Sequence, residues 1–142
     1  MNPVKDQNNP LSSKLLLFCT KRRSAFPRLH RLVCLLLGSD VYCRIPQGML
    51  LPHPYGVIIH QKVKLGSNVI VMQQVTIGQK TPENAGVPTI GDDVYIGAGA
   101  KILGAIYIGC NVTVGANAVV TKDVPDWSTI VGFNRVLSDS SN

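Results

Sequence analysis

Three histidines, four cysteines and a scatter of carboxylates are the side chains here with the means to move a proton or hold a metal. His53 has the most suggestive setting. It stands between Pro52 and Pro54 and three residues before Gly56, so its backbone is restrained on both sides and open to close approach. An imidazole is the one side chain whose unperturbed proton affinity suits base catalysis near neutrality. The spacing leaves two readings open, a general base or a structural histidine. His60 reads as a corner or surface residue with the option of lining the same site. A zinc lyase would need three histidines around the metal with one closely spaced pair, and His30, His53 and His60 do not supply it. Cys19, Cys34, Cys43 and Cys110 form no C-x-x-C pair and no zinc-like spacing. They read as reduced packing thiols of a cytoplasmic protein, with no metal expected.

The element that must position these residues is a repeat. Aliphatic residues return every sixth position at Ile59, Leu65, Val71 and Ile77, then at Ile90, Ile96, Ile102, Ile108, Val114 and Val120. Four places after each comes a second comb of small or β-branched residues, among them Val63, Val69, Val75, Val94, Ala100 and Ala118. A period of six fits neither a 3.6-residue helix nor one long alternating strand. It predicts a parallel β-helix in which each hexad is one face of a triangular coil. Glycine follows the first comb at Gly66, Gly78, Gly91, Gly97, Gly109 and Gly115, where a corner is expected to need backbone freedom. Between Ile77 and Ile90 the spacing is thirteen, not twelve, and the polar stretch 79–88 reads as a protruding loop.

At 142 residues the chain suits one domain with a small appendage: a helical segment over 1–38 and a coil domain over 39–142. Met1 to Leu11 is Asn- and Pro-rich and reads as loose. Ser12 or Ser13 is the expected N-cap of a first helix, Pro27 breaks or restarts the pattern, and Gly38 ends a second helix. These helices are expected to cover the open first coil. Pro125 is expected to end the repeat, with Trp127 and Phe133 packed over the last coil. The net charge of +6 lies entirely in residues 1–37, which hold seven basic side chains and one acid, Asp6. Such a segment attracts anions or simply solvates short helices, and nothing in it resembles a nucleic-acid motif. Contact with a membrane stays open on charge alone. Neither apolar run, Leu15 to Cys19 or Arg31 to Leu37, is long enough to span a bilayer, and no cleavage-site pattern follows them.

Taken together, His53-Pro-Tyr-Gly-Val-Ile-Ile, Gln74-Val-Thr-Ile-Gly78, the run from Ile90 to Gly104 and the run from Val114 to Pro125 carry a resemblance. Over residues 40–136 the chain resembles the hexapeptide-repeat acyltransferases, in the branch of serine acetyltransferases and of O-acetyltransferases of capsule and exopolysaccharide synthesis. The resemblance implies a left-handed parallel β-helix, a homotrimer with active sites between subunits, and acetyl-CoA as co-substrate. It implies that His53, in the pattern H-x-x-G, is the general base that takes the proton of an acceptor hydroxyl. Asp40 is the only carboxylate shortly upstream and is the candidate to orient it, although the spacing is short for the family. Gly78, Ala98 and Ala116 fall where the family keeps small residues beside pantetheine, and Lys122 is a candidate for the CoA phosphates.

Two departures bear on the acceptor. Serine acetyltransferases carry an aspartate before the catalytic histidine and an Arg-His pair in the protruding loop, whereas this chain has Pro52 and Asn84-Ala-Gly-Val-Pro88. The Gly-x-Pro-Ala expected near the C-terminus reads Gly132-Phe-Asn-Arg135. With no cation in view for a carboxylate, the expected acceptor is a saccharide hydroxyl. The alternatives are a true serine O-acetyltransferase of cysteine biosynthesis and a non-catalytic β-helix serving as an assembly module.

Overall fold

Each hexad becomes a strand of two or three residues followed by a turn, because the aliphatic that points inward can be extended for only one face before the backbone must bend. The computed structural model describes residues 9–22, 24–83 and 86–139; residues 1–8, and Asn84 and Ala85 of the loop, lie outside the described residues. The chain runs through α1 (Leu11–Lys21) and α2 (Pro27–Leu37), then β1 (Asp40–Val41), β2 (Ile58–Ile59), β3 (Lys64–Leu65), β4 (Ile70–Val71) and β5 (Thr76–Gly78). After the loop come β6 (Thr89–Ile90), β7 (Tyr95–Ile96), β8 (Lys101–Leu103), β9 (Tyr107–Ile108), β10 (Thr113–Val114), β11 (Val119–Val120), β12 (Ser128–Val131) and β13 (Arg135–Asp139).

From β2 to β12 successive strands go to different sheets, which is what makes this a coil. The first sheet is ordered β1-β2-β5-β8-β11, the second β4-β7-β10-β12-β13 and the third β3-β6-β9. Every pairing among them is parallel except β12 with β13. Ile58 pairs with Thr76 and Val119 with Lys101, so one coil is three hexads. Leu65 pairs with Ile90, 25 residues on. The gap after Ile77 is therefore one hexad plus an excursion of seven residues, not two hexads plus one. Counting along the chain cannot separate the two cases; pairing across it does.

The inward comb is buried as expected. Ile59, Ile77, Ile102 and Val120 stack in the first sheet, Val71, Ile96, Val114 and Ile130 in the second, and Ile90 and Ile108 in the third, with Leu65 only partly covered. The glycines after the comb have another purpose than the one expected. None of Gly66, Gly78, Gly91, Gly97, Gly109 and Gly115 has positive φ. The left-handed corner residues are instead Asn68, Gln74, Asp93, Asn111 and Asn117, at φ between 55° and 59°; Asn and Asp tolerate that region best among residues with a side chain. The glycines matter for room. A Cβ on Gly97 would stand 2.6 Å from Ala116 N, and one on Gly91 2.8 Å from Cys110 N, so these positions let one coil's backbone settle on the next.

At the N-terminal end, Leu16, Leu17 and Cys19 of α1 and Val33 and Cys34 of α2 join the same apolar cluster as Val41 and Leu51. Gly38 closes α2 in the left-handed conformation, φ 59°, and Pro27 sits in its first turn. The N-cap of α1 is Pro10, not a serine. Ser13 is buried inside the helix, and its hydroxyl donates to the Leu51 carbonyl, a use that a cap would forgo. Burial pushes the thiol pKa of Cys19 and Cys34 up, since a thiolate there would be poorly solvated.

At the other end the repeat passes beyond Pro125. Ile130 pairs with Val114 and fills the last core position, and the antiparallel β13 lies along β12. Trp127 and Phe133 do not cover the coil; they are 54% and 71% exposed. Trp127 occupies a left-handed corner, φ 62°, which turns its ring outward.

Replacing Gly97 with alanine is expected to destabilise the protein by about 1–3 kcal/mol, because the intruding methyl meets fixed backbone. Ile96→Ala should cost about 2–5 kcal/mol through a cavity in the same rung. Urea unfolding followed by circular dichroism measures both.

Candidate functional site

The turn that leads from the second sheet into the first recurs in each coil and builds one edge of the prism. Tyr55-Gly56, Gln73-Gln74, Ala98-Gly99 and Ala116-Asn117 lie one above another along it. Gln74 N–H donates to the Tyr55 carbonyl at 2.9 Å, Gly99 N–H to Gln73 at 2.9 Å and Asn117 N–H to Ala98 at 2.8 Å. His53 lies at the foot of this edge. Its ring is exposed and lines a recess of about 330 Å³ with Tyr55, Gly56, Gln73 and Gln74. Pro52 and Pro54 are both buried, so the flanking backbone is anchored while the imidazole faces out. Ser39, itself buried, fastens the segment further: its hydroxyl donates to the Pro54 carbonyl at 2.7 Å and accepts from Val57 N–H at 3.0 Å.

Asp40 is elsewhere. It lines a second groove, of about 470 Å³, with Tyr42, His60, Thr76, Gly78 and Gln79, and no hydrogen bond or ion pair joins it to His53 among the described residues. In that groove Nδ1 of His60 accepts from Lys62 N–H at 3.2 Å, which leaves Nε2 as the outward nitrogen. His30 lines neither groove; it is buried in the cap with its Nε2 3.4 Å from Thr20 Oγ1 and its ring edge-on to Tyr42.

The remaining candidates divide between the two ends of the first sheet. Ala98 and Ala116 share the edge of His53, at the N-terminal ends of its strands. Gly78 pairs with Leu103 at the C-terminal ends, and exposed Lys122 follows β11 on that same side. A Cβ on Gly78 would meet only His60 Cβ, at 3.6 Å, so its bareness faces the open groove and is not demanded by coil stacking. Gly78 thus differs from Gly91 and Gly97: space beside it is free for a narrow ligand chain such as pantetheine.

Three contributors near His53 had no sequence signal. Ser39 is one. Lys101 is another: it starts β8, 48 residues from His53, and its ammonium donates to the Gln74 carbonyl at 2.6 Å, beside the recess. The third is Gln73, whose buried Oε1 has no hydrogen-bond partner. A buried acceptor left unpaired costs roughly 1–3 kcal/mol, so a donor there would be favoured. None of these is adjacent to His53 in the chain, and only the coil register brings them together.

Residues 88–122 match the family described as bacterial transferase hexapeptide (six repeats). A serine acetyltransferase of Helicobacter pylori (strain ATCC 700392 / 26695) is 40% identical over 118 residues, covering 79% of this chain and 68% of the relative. One of Synechococcus elongatus is 40% identical over 123 residues, covering 82% of this chain and 50% of the relative. A solved serine acetyltransferase in complex with CoA has a TM-score of 0.73 at 28% identity, over 89% of this chain and 54% of that one. The chain belongs to the serine acetyltransferase family of hexapeptide-repeat acyltransferases. It spans about half the length of the Synechococcus relative.

These relatives overturn the expected saccharide acceptor and its place in polysaccharide synthesis: they are named for serine. The expectation rested on residues missing beside His53 and in the loop, and neither stretch shows that β8 brings the Lys101 ammonium to the Gln74 carbonyl, beside the recess.

Ser39→Ala is expected to lower stability by about 1–3 kcal/mol, since Val57 N–H loses its acceptor and the Pro54 carbonyl its donor in a buried place. Gly78→Ala should leave the melting temperature unchanged. A pair of thermal melts distinguishes them.

Proposed function

We propose that this chain is a serine O-acetyltransferase that moves the acetyl group of acetyl-CoA to the serine hydroxyl. The observation that carries the reading is 40% identity to a serine acetyltransferase over most of both chains. The geometry agrees with it. An alcohol is a poor nucleophile until its proton has somewhere to go, and His53 offers an exposed imidazole on anchored backbone. As His53 takes the hydroxyl proton, the serine oxygen forms its bond to the acetyl carbon, the carbon–sulfur bond breaks, and the proton passes on to the departing thiolate. Lys101 is the cation for the serine carboxylate.

In this reading the coil is left-handed and the protein is a homotrimer. The division of the site residues supports the trimer. His53, Ala98 and Ala116 lie at the N-terminal end of the strands of the first sheet and Gly78 and Lys122 at the other, so a cleft between neighbours would face one set with the other. Acetyl-CoA would lie there, pantetheine beside Gly78, Ala98 and Ala116 and a CoA phosphate at Lys122. Asp40, which does not line the His53 recess of its own subunit, would act across that cleft. The helical segment of the division at 38/39 closes the first coil through α1 and α2, and the acyltransferase domain follows it.

Thiol release from acetyl-CoA should depend on serine, and its absence with serine would sink the assignment. His53→Gln is expected to lower kcat by about 10²–10⁴-fold with the fold intact. Lys101→Met should raise KM for serine on the order of tenfold, as for a lost charge-assisted hydrogen bond, while KM for acetyl-CoA stays put.

A further inference from the structure

The face that α1 and α2 turn away from the coil is apolar and cationic at once. On α1, Leu11, Leu15 and Phe18 recur every three or four residues and are exposed; on α2, Leu29, Leu32 and Leu36 do the same, with Leu35 beside them. Leu11, Leu35 and Leu36 are 83%, 79% and 73% exposed. The opposite faces are already committed to the core through Leu16, Leu17, Val33 and Cys34. Among the outward apolar side chains stand Lys14, Lys21, Arg22, Arg28 and Arg31, all exposed. Neither helix carries an acid, and among the described residues none of these cations is ion-paired; Arg22 lies 6.0 Å over the Phe18 ring.

A contiguous exposed apolar surface marks a place of association, and its charge selects the partner. A second copy would set these five basic side chains against the same five, like charge on like, with no acid on either helix. Nucleic acid would answer the charge but leave the leucines facing phosphate. A bilayer with anionic headgroups answers both: the cations meet phosphate and carboxylate, while the leucines and Phe18 enter the acyl boundary. No helix of the described residues is long and apolar enough to cross a membrane, so the contact lies in the interface plane. We propose that the outer face of α1 and α2 docks this protein on anionic phospholipid surfaces.

Flotation of the full chain with vesicles tests this, using phosphatidylcholine alone and equal parts phosphatidylcholine and phosphatidylserine. Binding is expected to the mixed vesicles and not to the neutral ones, and to weaken with added salt. Arg28→Glu and Arg31→Glu should each reduce it at least about fivefold. Leu35→Ser with Leu36→Ser should reduce it as well, with the melting temperature unchanged because both side chains are exposed. Failure to float with either vesicle overturns the proposal. So does binding that ignores the leucine substitutions, which would be charge adsorption only. A higher oligomer that these same leucine variants dissolve, without vesicle binding, would assign the face to copies of the chain instead.

Discussion

Backbone hydrogen bonds between one coil and the next are the constraint from which the rest of the structure follows. Gly91 N–H reaches the Ile108 carbonyl at 2.8 Å, Gly97 N–H the Val114 carbonyl at 2.8 Å and Gly109 N–H the Val124 carbonyl at 2.9 Å. A strand of two residues has almost no stability of its own and both its edges are unsatisfied, so it persists only because coils above and below complete it. The close approach this requires leaves no space for a Cβ at Gly91, Gly97 or Gly109. Hydrophobic burial follows the same geometry, since each face and rung of the triangular interior takes one aliphatic from the strand and a smaller one, such as Val94 or Ala100, from the turn before it.

A stack held this way behaves as a ruler, and that is its use to the site. Residues at one hexad position line up along an edge whatever their distance in the chain, which is how Gln73, Ala98 and Ala116 come to stand above His53. The seven-residue excursion after Gly78 leaves the register untouched: Ile77 still pairs with Ile102 and Leu65 with Ile90. Part of that loop is tied back, for Val87 packs against the core. His53 itself precedes the regular rungs and depends on buried prolines and the Ser39 clamp in place of strand pairing.

The N-terminal helices solve a different problem. A solenoid's first coil has an open apolar end, and one face of α1 and α2 is spent on it. Eleven-residue helices have room for a second face, and here that face is neither the polar surface of a soluble cap nor a continuation of the core. Its combination of leucine with arginine and lysine is why the basic excess, unremarkable as a sum over the chain, gains meaning once it is located.

The chain's own order of residues determined the coil, because a six-residue period has no other regular solution, and it marked His53 through its prolines and the motif it shares with a known family. It also set Gly38 at the end of α2, where a left-handed glycine belongs. Tertiary structure decided what depends on proximity across coils. It put Asp40 and His53 in different grooves, brought Lys101 and Gln73 to the recess, showed that the hexad glycines other than Gly78 serve stacking while Asn, Asp and Gln turn the corners, and left Trp127 and Phe133 outside. The division has a physical cause: periodicity is a local property that repeats along the chain, whereas a site is an arrangement across it, fixed only when register sets which distant residues share an edge.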